Sequence, residues 1–250
     1  RDRGDVTAVF SGNKMIGLEA GDTTNDCYGL AVDIGTTTVV GMLWDIRRTK
    51  LIEVTARTNP QSIFGADVIS RIQFCNEDES HLARMQEAVI QCINEMIKEM
   101  TLRSGIRTKN IYEAVVVGNT TMSHLFLGVH PGSLARTPFA PVFCHCIDTP
   151  AKELSLFINE GANVCFLPNI AGHVGADLSA VLLATGLKEK EGANIVIDIG
   201  TNGEILLEKD GEILACSTAA GPAFEGASIT MGMRAADGAI EKVSLSLIHI

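Results

Sequence analysis

Two aspartates, each followed by Ile-Gly-Thr, carry most of the recognisable chemistry in this 250-residue chain. Residues 28–40 run from an apolar stretch into Asp33-Ile34-Gly35-Thr36, then Thr37-Thr38 and a second β-rich stretch. Residues 194–207 repeat that order with Asp198-Ile199-Gly200-Thr201, followed by Asn202-Gly203. A glycine at a strand end lets the backbone turn where a Cβ would clash, so amide N–H groups can approach a ligand closely. Thr36, Thr37, Thr38, Thr201 and Asn202 add side-chain donors. Such a corner suits phosphate oxygens, because a hydrogen bond to a charged acceptor is worth about 1.5–3 kcal/mol. A carboxylate beside a polyphosphate needs a cation between them, so Asp33 and Asp198 are natural holders of a hydrated Mg²⁺. One copy alone reads best as a strand–turn–strand hairpin. Two copies in the same order point to a paired phosphate clamp.

The corners need strands before them and helices behind them. Strands are expected over 28–34, 38–45 and 51–57, with Val32 and Ile34 buried, and Ile195, Ile197 and Ile199 buried in the second copy. Asn59-Pro60 ends this meander. Gly65-Ala66-Asp67 opens a helix with Asp67 as cap or first-turn carboxylate. A long amphipathic helix is expected over 81–102, where Leu82, Met85, Val89, Ile93, Met96 and Met100 form a core stripe, and Gly105 stops it. A strand over 114–117 runs into Gly118-Asn119-Thr120-Thr121, whose amides at a strand-to-helix junction either meet phosphate or cap the helix. Residues 128–150 hold four of the seven prolines and read as an irregular connection. A further strand over 164–167 precedes a helix opened by Gly175-Ala176-Asp177 and closed by Gly186, a start that capping chemistry alone explains. The second copy continues with a strand over 203–208, a turn at Lys209-Asp210-Gly211 and a strand over 212–216. Gly221-Pro222 then opens a helix aimed at the ligand, with Glu225 as a first-turn carboxylate.

Three meandering strands followed by alternating helices and strands predict an α/β fold: a ribonuclease-H-like lobe, with a mixed sheet and helices on its faces. The expected division is a linker or end of an upstream module over 1–27, a first lobe over 28–190, and the start of a second lobe of the same type, incomplete, over 191–250. The tail 244–250 fits neither lobe.

A net charge of −10 argues against nucleic acid, which demands a basic footprint. It also means that any polyphosphate site must be made locally positive. No apolar run reaches the length of a membrane span, and the N-terminus has no signal-peptide core. Seven cysteines, irregularly spaced, suit a reducing cytoplasm. Cys144-His145-Cys146 invites a metal reading, but the spacing is unusual for zinc and no second half-site is visible, so an unligated loop is expected. Cys165 and Cys216 are expected as buried thiols, His124 as a surface or core residue, and Glu204 either as the orienter of a hydrolytic water or as an exposed strand residue.

The twin Asp-Ile-Gly-Thr corners resemble the phosphate-one and phosphate-two signature of the actin, heat-shock chaperone and sugar kinase superfamily. The resemblance extends to Asn59-Pro60-Gln61 with Gly65-Ala66-Asp67-Val68-Ile69-Ser70-Arg71-Ile72, and to Val117-Gly118-Asn119-Thr120-Thr121-Met122 with His124-Leu125-Phe126-Leu127-Gly128. It includes Leu167-Pro168-Asn169-Ile170-Ala171-Gly172, Val174-Gly175-Ala176-Asp177 and residues 216–227. Together these blocks resemble the reductive activators of corrinoid proteins, ATP-dependent iron–sulfur proteins, over residues 28–243.

The resemblance implies reduction of an inactive Co(II) corrinoid on a partner protein to Co(I), the methyl-accepting state, driven by ATP through closure of the two lobes. The implied partners are a corrinoid protein and its methyltransferase; a homodimer is left open. ATP phosphates would be held by Gly35, Thr36, Thr37, Thr38, Gly118, Asn119, Thr120, Gly200, Thr201, Asn202, Gly203 and Gly221, with Mg²⁺ on Asp33 and Asp198 through water. The family's electrons come from a 2Fe–2S ferredoxin domain. This chain has no Cys-x4-Cys-x2-Cys motif, so that cluster is expected in an upstream domain. Two alternatives use the same fold. A small-molecule kinase would need a cleft carboxylate base that no motif nominates, and a nucleotide-gated scaffold would form ATP-dependent polymers.

Overall fold

The computed structural model describes residues 4–200 and 202–218. The chain divides into two units, residues 1–191 and residues 192–250.

In the first unit, β1 (Val6–Ser11) and β2 (Lys14–Ala20) form a separate antiparallel hairpin. It exposes Phe10, Met15 and Leu18, and the Tyr112 hydroxyl holds it by donating to Glu19 Oε1 at 2.6 Å. Next, β3 (Tyr28–Ile34), β4 (Thr38–Asp45) and β5 (Lys50–Thr58) form the expected meander, with Ile34 opposite Val39 at the tip of the first turn.

Asp67 caps α1 (Val68–Glu77) in a reciprocal box: its carboxylate accepts the Ser70 N–H, and Ser70 Oγ accepts the Asp67 N–H. The long helix α2 (Glu79–Ser104) ends at Gly105 with φ 72°, the left-handed C-terminal stop. Its Met85, Val89, Ile93, Met96 and Met100 are all buried, so the methionine stripe is core, as its spacing predicts. Gly41 of β4 makes room for Met96 and Met100, whose methyl carbons would lie 3.0 and 3.3 Å from any added Cβ. Each such burial is worth about 1.5–3 kcal/mol.

β6 (Ile111–Gly118) then runs parallel to β3, with Asp33 in register with Val117. α3 (Thr120–Phe126) leaves its end directly. β7 (Ile147–Pro150) and β8 (Asn163–Phe166) complete a six-stranded mixed sheet of order β5-β4-β3-β6-β8-β7, and α4 (Ala176–Thr185) follows β8. The strand β7 lies in the stretch expected to be irregular. Four residues ended by a proline carry no periodic signal, and a proline without an N–H is tolerated at a sheet edge.

The second unit contributes β9 (Asn194–Ile199), β10 (Gly203–Lys209) and β11 (Glu212–Thr218), antiparallel in the order β11-β10-β9. Asp210 and Gly211 both take positive φ, 54° and 85°, which matches the twist of a two-residue hairpin. The expectation of a buried β9 is corrected: Ile195, Ile197 and Ile199 are 61%, 55% and 85% exposed. Strand alternation turns all three to one face, and no described element of this unit lies over that face. Cys216 on β11 is exposed too, not buried as expected. Among the described residues, no helix is long and apolar enough to cross a membrane.

Candidate functional site

The turn between β3 and β4 is tight. The Gly35 N–H donates to the Thr38 carbonyl at 2.9 Å, leaving Thr36 and Thr37 at the tip. Gly35 therefore uses its own amide inside the turn. The carbonyls behind the tip are all claimed from within the protein. Asn59 Nδ2 donates to the Gly35 carbonyl at 2.8 Å, Arg71 Nη2 to the Thr36 carbonyl at 2.5 Å, and the Asn59 N–H to the Thr37 carbonyl at 2.7 Å. A trans peptide is planar, with its C=O and N–H antiparallel. Holding the Gly35 and Thr36 carbonyls inward therefore turns the Thr36 and Thr37 amides outward, an anion-binding arrangement.

The support behind this turn is a buried polar layer. Asn59, Gln61 and Arg71 are each fully buried. Asn59 Oδ1 accepts the Gln61 N–H at 3.0 Å, and Gln61 Nε2 donates to the Met85 carbonyl at 2.9 Å. Arg71 donates through Nε to the Gly65 carbonyl at 2.9 Å and through Nη1 to Met122 Sδ at 3.2 Å. Burial pulls its guanidinium down to about 10, which the Asp67 carboxylate partly opposes, so Arg71 stays charged at neutral pH. The side chain has no ion-pair partner among the described residues. It places a buried positive charge directly behind the turn, in a chain that is acidic overall. Arg71 belongs to a block that carried the family resemblance without a role; a long basic side chain at a buried position of an amphipathic helix was the available signal.

A second corner, where β6 meets α3, abuts the first. Asn119 caps α3, its Oδ1 accepting the Met122 N–H at 3.0 Å. That fixes its amide, and Nδ2 donates to Thr36 Oγ1 at 2.9 Å. With its oxygen already accepting, the Thr36 hydroxyl keeps its proton for an outside acceptor. The capping reading of this stretch holds, and the same Asn119 side chain also orients Thr36. A Cβ on Gly118 would fall 2.6 Å from the Ile34 carbonyl oxygen, and one on Gly175 would fall 2.4 Å from Asn119 Cα. Gly175 therefore admits the start of α4 against this corner, a tertiary reason that capping chemistry alone did not reveal. Thr120 turns the other way: it is buried, and its hydroxyl donates to the Ala171 carbonyl at 2.7 Å. His124 is a buried core residue. Its Nδ1 lies 2.7 Å from the Thr120 carbonyl, and its Nε2 accepts the Val142 N–H at 3.1 Å, which makes Nδ1 the protonated nitrogen.

Asp33 is exposed at the end of β3, opposite Val40. Asp198 is half-buried on β9, opposite Glu204 of β10. The corner after β9 closes differently: the Gly200 N–H donates to the Asn202 carbonyl at 2.9 Å, and Gly203 pairs with Ile199. Glu204 Oε1 accepts from the Ser217 hydroxyl at 3.1 Å. Thr201, Gly221 and Glu225 lie outside the described residues. Within the first unit the donor set suits phosphate oxygens: outward Thr36 and Thr37 amides and an oriented Thr36 hydroxyl, with the Asp33 carboxylate at the end of β3. A groove of about 600 Å³ on the outer face of α2, lined by Ile90, Ile97, Leu102 and Phe157, is apolar and touches none of these residues.

Cys144 and His145 are absent from any metal-ligating group among the described residues, whereas Cys146 faces Cys165 across the β7–β8 pair. Cys165 is half-buried, not fully buried as expected.

The fold and these corners have counterparts in known proteins. A solved reductive activator for corrinoid, iron–sulfur protein superposes with a TM-score of 0.83 at 41% identity, covering 93% of this chain and 37% of that one. The corrinoid activation enzyme RamQ of Eubacterium limosum is 42% identical over 236 residues, 94% of this chain. The Co(II) methylated amine-specific corrinoid protein reductase of Methanosarcina barkeri is 29% identical over 233 residues, 85% of this chain. The chain spans about 40% of the length of each of these two curated relatives. The mixed sheet with flanking helices is the actin-like α/β fold. With the RACo middle region matched over residues 28–190 and the C-terminal ASKHA domain of RACo over residues 192–248, the chain belongs to the RACo family.

Proposed function

We propose that this chain is the nucleotide-binding part of an ATP-dependent activator that reduces a corrinoid protein from Co(II) to Co(I). The observation that carries the reading is the β3–β4 tip. Its carbonyls are bonded inward to Asn59 and Arg71, so that the Thr36 and Thr37 amides and the Thr36 hydroxyl face outward. These groups, with Thr38, Gly118 and Asn119, are assigned to phosphate oxygens, and Thr201, Asn202, Gly203 and Gly221 are assigned the same role in the second unit; Gly35 and Gly200, whose amides bond within their own turns, and Thr120, whose hydroxyl bonds Ala171, are left out of the expected set. Asp33 and Asp198 are assigned to Mg²⁺ through water, because Mg²⁺ dehydrates reluctantly. When bound, MgATP supplies the free energy for an uphill electron transfer. The chain's own part is to bind and orient it: Arg71 sets the potential behind the tip, and Asn119 points the Thr36 proton.

The electron donor is a 2Fe–2S domain elsewhere in the same protein. The partners are a corrinoid protein and its methyltransferase in the cytoplasm. The relatives' names support the corrinoid partner.

The test is optical. The protein carrying this chain is mixed with a reduced 2Fe–2S donor, MgATP and a Co(II) corrinoid protein. The Co(II) absorbance should convert to that of Co(I) only when ATP is present. Unchanged Co(II) absorbance with ATP demonstrably bound would sink the reading.

A further inference from the structure

Strand β7 pairs antiparallel with β8, and Asp148 stands directly opposite Cys165. Cys146 immediately precedes β7, and its side chain comes to the same side as Asp148. The two Sγ atoms and an Asp148 carboxylate oxygen all lie within 4.8 Å of one another. Cys146 Sγ is 2.9 Å from Cys165 Sγ and 3.9 Å from Asp148 Oδ2. We propose that Cys146, Cys165 and Asp148 form a binding site for one thiophilic divalent cation of the zinc class, which staples the short edge strand β7 to β8.

The ligand set and spacing fit. With Zn–S near 2.3 Å and Zn–O near 2.1 Å, tetrahedral ligands sit about 3.5–3.8 Å apart, a separation that small side-chain rotations reach from here. The carboxylate is already aimed. Asn163 Nδ2 donates to Asp148 Oδ1 at 2.8 Å and to Glu113 Oε1 at 3.1 Å, which leaves Oδ2 on the side of Cys146. An outer partner that fixes a ligand in this way is the usual support of a metal site.

A carboxylate beside the two sulfur atoms attracts a cation. On binding, each thiol releases one proton to solvent and its sulfur donates to the metal, with no change of oxidation state. Cys146 is exposed, so the cation has a way in, and water completes the fourth position. This site does not depend on the nucleotide reading.

The test titrates the full chain, held reduced, with Co²⁺ alone. One equivalent should produce a thiolate-to-cobalt charge-transfer absorption, with two protons released per cation, and Zn²⁺ should abolish the absorption by displacement. Cys146→Ser and Cys165→Ser, checked for wild-type circular dichroism, should each remove it. Cys144→Ser should keep it, and Asn163→Ala should weaken Co²⁺ affinity by roughly ten- to a hundredfold. The proposal is overturned if no charge-transfer band appears, if the band survives in Cys165→Ser, or if the two thiols are found as a disulfide that prior loading with Zn²⁺ does not prevent.

Discussion

The two Asp-Ile-Gly-Thr corners share a sequence and differ in what stands behind them. After β3 the turn has two residues at its tip, and Asn59, Gln61 and Arg71 form a buried polar layer beneath it. After β9 the turn closes from Gly200 to Asn202, and Asp198 faces another carboxylate, Glu204. A motif of four residues therefore specifies a strand, a bend and a set of donors. Their direction depends on residues remote in the chain that take hold of the carbonyls.

The sharpest way to break the comparison is Arg71→Ala. It leaves the Thr36 and Gly65 carbonyls without their buried donor and opens a cavity, so urea unfolding of the first unit should lose about 3–5 kcal/mol. A loss under about 1 kcal/mol would mean that the polar layer does not support the corner.

Twin glycine substitutions give the next largest contrast. A Cβ on Gly35 would lie 2.7 Å from the Thr38 carbonyl oxygen, whereas one on Gly200 would have 3.5 Å to the Asn202 carbonyl oxygen. Gly35→Ala should cost about 1–3 kcal/mol by denaturant melts. Gly200→Ala should stay within about 0.5 kcal/mol. Equal costs would erase the distinction between the corners.

Thr36→Val removes the oriented hydroxyl while keeping the shape. Calorimetry with MgATP should show binding about tenfold weaker or worse, as expected for a lost hydrogen bond to a charged acceptor. Asn119→Ala should weaken binding in the same direction and also cost about 1 kcal/mol of stability through the lost helix cap. Unchanged affinity in both variants would remove Thr36 from the phosphate set.

The smallest effect is on pH dependence. Burial holds the His124 imidazole below its ordinary value of 6.5, against the opposing hydrogen bond to Thr120. The folded state therefore favours the neutral ring. Its contribution is complete above about pH 6.5 and is lost as pH falls from there through the lower folded-state value. His124→Gln should flatten that acid slope in thermal melts. A slope identical to wild type would assign it to other groups.

Much of the scaffold was legible before the fold was known. Period-two and helical spacing located β3, β4, β5 and α2 closely, because each must bury one face of its own sequence, whereas α4 was placed by its start and stop residues alone. Three features were hidden for stated physical reasons. β7 is too short and too rich in proline to show a period. The isoleucines of β9 read as buried because apolar type signals burial only when a neighbour covers that face. The second half of the cysteine site lies beyond local spacing, since Cys165 meets Cys146 only through strand pairing.

Residue type and order alone determined the doubled corner, the helix caps at Asp67 and Asn119, the stops at Gly105 and Gly186, and the demand for local positive charge in an acidic chain. These are short-range effects, governed by the backbone of a few adjacent residues. Tertiary packing decided that Arg71 would supply the charge, that Asn119 would orient Thr36, that Gly175 would lie against Asn119, and that Cys146 would find Cys165 and Asp148. Each of those contacts joins residues far apart in the chain, and hydrogen-bond direction and Coulomb attraction act through space, not along the sequence.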